Sequence, residues 1–115
     1  MNIKNKICTS IEQSQKLVEL GIDVNTADII YNVFDESYVR HGTPIDKYHT
    51  PAWSLAALME LIPNECRMEK TPLDQTGELT YSFVDDYYNI RTYEEDNPVD
   101  ACYEMILKYH ELNLL

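Results

Sequence analysis

Glycine is scarce, at three residues in 115. No Gly-rich phosphate loop or Walker sequence is present, and neither H-E-x-x-H nor G-x-S-x-G occurs. Basic residues are also few: nine Lys and Arg stand against twenty Asp and Glu, for a net charge of −11. Direct nucleic-acid binding through phosphates needs clustered Lys and Arg, and anionic membranes attract the same residues. The charge argues against both and permits a basic partner. No stretch approaches the roughly 20 apolar residues of a membrane span. The basic start Met1-Asn2-Ile3-Lys4-Asn5-Lys6 has no apolar run behind it, so it does not read as a signal peptide. Cysteine is limited to Cys8, Cys66 and Cys102, an odd number without a C-x-x-C pair. That fits neither a disulfide framework nor a zinc site, and reduced thiols in a cytoplasmic protein are the simplest reading. Neither internal repeats nor low-complexity segments occur.

Aromatic residues are plentiful: nine tyrosines, two phenylalanines and a tryptophan. They argue against disorder, which goes with few aromatic and β-branched residues. A chain of this length fits one domain, 1–115, and buries roughly two thirds of its unfolded surface.

Along the chain, a first helix begins near Thr9 or Ser10, and Thr9 and Glu12 have the spacing of a capping box. Gly21 ends it, with Ile22 folding back on Leu17. Ala27 to Phe34, rich in β-branched and aromatic residues, reads as a strand, although Asn25-Thr26-Ala27-Asp28 also suits the start of a short helix. Asp35 to His49 reads as a long loop. Thr50 is a cap and Pro51 suits a first helical position, so Ala52 to Ile62 is expected as a buried central helix ended by Pro63. On this reading Trp53, Leu55, Leu58, Met59 and Ile62 are core. Cys66 to Lys70 reads as a short strand. Leu79 to Val84 alternates and returns after a turn at Asp85-Asp86, pairing Phe83 with Tyr88, Tyr81 with Ile90 and Leu79 with Thr92; Asp-Asp is a poorer turn than Asn-Gly, so a longer loop is the alternative. Asn97-Pro98-Val99-Asp100 opens a last helix with an apolar stripe of Val99, Cys102, Ile106 and Tyr109. The order α-β-α-β-β-α predicts an α+β fold: a small antiparallel or mixed sheet of three to four strands packed with three helices.

Cys8-Thr9-Ser10-Ile11-Glu12-Gln13-Ser14, Gly21-Ile22-Asp23, Thr26-Ala27-Asp28, Pro51-Ala52-Trp53-Ser54-Leu55 and Asn97-Pro98-Val99-Asp100-Ala101 follow one another in the chain. Together they resemble a family of small uncharacterised proteins of anaerobic gut bacteria, their phages and mobile elements. The resemblance covers most of the chain, and Pro51 to Leu55 is its most specific part. It implies a bacterial or phage accessory protein in the cytoplasm. It carries no known activity and so no catalytic residue.

Few residues are placed for chemistry. His41, Asp46 and His49 share a loop, but their spacing matches no standard metal site, so a solvated loop is the expectation. Glu94-Glu95-Asp96 forms an acidic patch whose plain explanation is the helix N-terminus that follows. Asp85 and Asp86 are expected at an exposed hairpin tip, where a carboxylate keeps an ordinary pKa and makes a poor general acid. Cys8 opens a helix, where the dipole can lower a thiol pKa; burial is the plainer reading. Six tyrosines, Tyr81, Tyr87, Tyr88, Tyr93, Tyr103 and Tyr109, crowd the C-terminal half. Tyrosine is enriched at protein interfaces. Tyr87 and Tyr93 fall on the hairpin face opposite Tyr81 and Phe83, which makes them the candidate partner contact.

The expectation is a non-enzymatic accessory protein that binds a protein partner or a second copy of itself, with no cofactor and no metal. A nucleic-acid mimic is a narrower variant, although the acids are scattered rather than clustered. The alternative is a small metal-dependent hydrolase or nuclease using carboxylates; a deep pocket with converging Asp, Glu or His would favour it.

Overall fold

The computed structural model describes residues 6–32, 37–40, 49–73 and 76–115. Among them are three α-helices, one 3-10 turn and six strands: α1 (Ile11–Glu19), the turn Val24–Thr26, β1 (Ile29–Asn32), β2 (Ser37–Arg40), β3 (His49–Ala52), α2 (Leu55–Glu60), β4 (Arg67–Pro72), β5 (Leu79–Asp85), β6 (Ile90–Arg91) and α3 (Pro98–Glu111). The class is α+β, as the sequence predicts. The strands do not form one sheet, however. They divide into two three-stranded antiparallel sheets, ordered β2-β1-β3 and β4-β5-β6.

Helix α1 begins one residue later than the Thr9–Glu12 spacing suggests. Ser10 is the N-cap: its Oγ accepts the Gln13 N–H at 3.1 Å, and Gln13 Oε1 accepts the Ser10 N–H at 2.9 Å. Thr9 is engaged elsewhere, fully buried, with its hydroxyl 2.8 Å from that of Ser14. Gly21 closes the helix at φ +90°, and the Ile22 N–H reaches the Leu17 carbonyl at 3.1 Å, the crossed bond of a Schellman cap.

The helix expected from Ala52 is shorter and starts later. Thr50, Pro51 and Ala52 lie in β3, opposite Tyr31, Ile30 and Ile29. β3 is an edge strand, which is where a sheet tolerates a proline. Trp53 joins the first sheet to the N-terminal segment: its carbonyl accepts the Thr9 N–H at 2.9 Å, and its own N–H donates to Thr9 Oγ1 at 3.0 Å. Ser54 therefore takes the N-cap role, accepting the Ala57 N–H. Trp53, Leu58 and Ile62 are buried as expected. Leu55 is half-buried, and Met59 is 43% exposed because a six-residue helix on the outside of the core cannot bury every face. The loop expected over Asp35 to His49 likewise contains β2 and ends in β3.

The core forms around α3, not α2. Val99, Ala101, Cys102, Met105, Ile106 and Tyr109 line its buried face, which packs on α2 and β5. Trp53, Leu17, Leu58 and Phe83 fill the same cluster. Asn97 caps α3 by accepting the Asp100 N–H at 2.8 Å, Pro98 holds the first turn, and Asn113 at φ 58° ends the helix in a second Schellman cap.

Candidate functional site

The β5–β6 hairpin turns later than a two-residue loop allows. Asp85 faces Ile90 and Val84 faces Arg91, so Asp86 to Asn89 form the turn, with Asn89 at φ 55°, a conformation that Asn tolerates. The offset from the expected pairing is even, so Ile90 and Thr92 still share the Phe83 face, but Tyr87 and Tyr88 fall in the turn and on neither face, and the opposite face is not open, since Thr80, Ser82 and Val84 are buried. Further along, the Thr92 N–H donates to the Phe83 carbonyl, and Tyr81 and Glu95 exchange both backbone bonds at 2.8 Å. The return strand therefore carries one extra residue between Thr92 and Glu95, a bulge. Tyr93 lies in this bulge.

Asp85 corrects the expectation of an exposed pair at the tip. Asp86 is 75% exposed, but Asp85 is only 1% exposed. Its Oδ1 accepts the N–H groups of Tyr87 at 2.9 Å and Tyr88 at 3.1 Å, and its Oδ2 accepts the Tyr109 hydroxyl at 2.5 Å. One carboxylate thus closes the turn and ties it to α3. The Tyr109 hydroxyl, seconded by the two amides, holds the Asp85 carboxyl below its ordinary range despite burial. Tyr109 itself is pushed upward by burial and by that same carboxylate. The Cys66 thiol is raised chiefly by burial, so it stays protonated.

Around this anchor the tip is exposed. Tyr87 is 81% exposed and Tyr88 45%, with their rings edge to face at 4.8 Å. Arg67 binds Asp86 at 2.5 Å and Glu69 at 3.2 Å, and Arg91 binds Glu69 at 2.9 Å. Such surface pairs contribute little stability. Beside the tip lies a depression of about 240 Å³ lined by Pro63, Glu65, Asp85, Tyr87 and Tyr88.

Tyr93, 78% exposed, lines a different depression with Glu104, Leu107, Lys108 and Glu111, and the Lys108 ammonium sits 5.8 Å from its ring centre. Tyr87 and Tyr93 are both exposed, but each belongs to its own hollow. Close to the second hollow, Glu95 and Glu104 bring two carboxyls together. Burial, then the hydrogen bond and the charge of Glu104, raise Glu95 to about 7. Glu104 Oε2 is buried and has no hydrogen-bond partner among the described residues.

The remaining sequence candidates fall apart spatially. His41 and Asp46 lie outside the described residues, while His49 opens β3 opposite Asn32. Among the described residues no group of three or more His, Cys, Asp or Glu converges as a metal site. Cys8 is buried in a bridge with Ser54, and burial raises its thiol more than Lys6 lowers it, the reverse of activation. Glu94 and Asp96 are exposed, and only Glu95 turns inward. Legible in neither pattern nor spacing were Asp85 as an anchor with Tyr109 as its counterpart, and the approach of Glu104 to Glu95. The available signal was an Asp at a strand end, which favours an Asx-type turn; its burial depends on a residue 24 positions away. No helix among the described residues is long and apolar enough to cross a membrane. No family model, curated protein or solved structure gives a significant match to this chain.

Proposed function

We propose that this chain is a non-enzymatic cytoplasmic accessory protein of a bacterium or phage, and that it binds a protein partner through the tyrosine-bearing tip of its β5–β6 hairpin. One observation carries the reading: Tyr87 stands 81% exposed on a turn whose amides are held by a buried carboxylate. A large amphipathic ring costs little entropy to immobilise, and a turn that is already fixed costs less still. Turn geometry alone needs no aromatic residues at Tyr87 and Tyr88. Tyr93, aimed outward by the bulge, offers a second contact. The charge of −11 and the three free thiols suit a basic partner in a reducing compartment.

The test compares the intact chain with the double variant Tyr87→Ser, Tyr93→Ser as bait in the native cell. Proteins that co-purify are identified, expressed alone and titrated against both. The reading expects the variant to keep the wild-type unfolding midpoint and lose at least tenfold in affinity. Equal affinity for the captured protein overturns it. Sedimentation of both forms shows whether the partner is a second copy of the chain.

A further inference from the structure

The hollow beside the hairpin tip has the chemistry of a receptor for an organic cation. It is lined by Tyr87, Tyr88, Pro63, Glu65 and Asp85, two aromatic and two acidic residues among them, and among the described residues no Lys or Arg lines it. The three donors to Asp85 are neutral, namely two amides and a phenol, so they stabilise its negative charge without cancelling it. Asp85 is also almost fully buried, where a charge is screened less than at the surface. Glu65 stands exposed at the rim. The nearby guanidinium groups are engaged elsewhere, Arg67 with Asp86 and Glu69, and Arg91 with Glu69. Aromatic faces attract cations through the ring quadrupole, and Lys108 over Tyr93 is an instance within this chain. A volume of about 240 Å³ falls below that of ordinary small-molecule pockets and suits the head of a single side chain. An anion is repelled by both carboxylates.

We propose that this hollow receives the side chain of a lysine or arginine from a basic segment of the partner. The proposal rests on the protein-binding reading and names the partner's chemistry. An excess of eleven negative charges steers such a segment toward the chain.

Three capped pentapeptides test it: arginine, its neutral isostere citrulline, or norleucine, each flanked by glycines. Each is titrated into the isotopically labelled intact chain and followed by NMR at the amides of Glu65, Tyr87 and Tyr88. The arginine peptide is expected to shift these amides saturably, and the citrulline and norleucine peptides to leave them unmoved. Glu65→Gln and Tyr87→Ser, both at exposed positions, are each expected to weaken the arginine peptide roughly two- to fivefold, the range of one exposed cation–π or ionic contact. Equal response to citrulline or norleucine overturns the cation assignment while leaving the tip as an interface. Silence at these amides with all three peptides overturns the pocket, and the capture experiment then judges the protein-binding reading independently.

Discussion

Replacing Tyr109 by Phe removes one oxygen from the core and leaves the ring in place. The hydroxyl lies 2.5 Å from Asp85 Oδ2, with Tyr109 0% and Asp85 1% exposed. Because the shapes match, no cavity term arises. What is lost is a hydrogen bond to a buried carboxylate. Bonds to charged groups contribute about 1.5–3 kcal/mol, so the variant is expected to be less stable by that amount at pH 7. At roughly 4 °C per kcal/mol the melting temperature falls by about 6–12 °C. Trp53, the one tryptophan and fully buried, reports unfolding in urea by fluorescence. The pH dependence identifies the cause. Asp85 is held below its ordinary value of 3.8 in the folded chain. Its contribution is therefore present above the unfolded pKa and is lost as pH falls through the folded one. The gap between wild type and Tyr109→Phe should narrow below about pH 4. A gap under about 0.5 kcal/mol at pH 7, or a larger gap unchanged down to pH 3, would refute the carboxylate anchor.

Glu95 has the opposite sign. Its folded value, about 7, lies above its ordinary 4.5, so its contribution is full below 4.5 and is lost as pH rises through 7. At about 1.36 kcal/mol per pH unit the interval is worth roughly 3.4 kcal/mol. The group is partly exposed and screened, which leaves about 1–2 kcal/mol. Glu95→Gln should flatten the fall in melting temperature between pH 5 and 8, and an unchanged slope would count against the raised Glu95 carboxyl. Leu58→Ala, at a fully buried site, should cost about 2–5 kcal/mol; a cost below 1 kcal/mol would remove α2 from the core. Tyr87→Ser with Tyr93→Ser should leave stability within about 0.5 kcal/mol, as exposed substitutions do, and unfolding would show these rings to be structural.

The parts of the fold legible in the sequence are those fixed by neighbours. Asn97, Pro98 and the stripe from Val99 to Tyr109 define α3 within one segment, and Gly21 with Ile22 closes α1 the same way. Where a local signal meets a distant pairing, the pairing decides. Thr50-Pro51 reads as a cap, but the pairing of β3 with β1, some 20 residues earlier, takes both residues into a strand and leaves Ser54 as the cap. The division into two sheets is equally non-local, since alternation shows a strand and not its neighbour. At the tip, Tyr87 and Tyr93 are exposed because a four-residue turn and a bulge carry them out of the ladder, not because of strand parity: Thr80, Ser82 and Val84, on the face opposite Phe83, are buried. The burial of Asp85 is not legible locally either, because α3 returns to supply Tyr109 only after the hairpin is complete.

The central claim is that a buried carboxylate holds the hairpin tip rigid beneath its exposed tyrosines. Native-state hydrogen exchange at the Tyr87 and Tyr88 amides tests it most directly, because both N–H groups donate to Asp85 Oδ1 while the side chains of these residues face solvent. Slow exchange is expected at both amides in the wild type, protected by about as much free energy as the β5 strand. In Tyr109→Phe exchange should be faster by about tenfold or more, the equivalent of roughly 1.4 kcal/mol. Amides that exchange in the wild type as fast as an unstructured chain would contradict it.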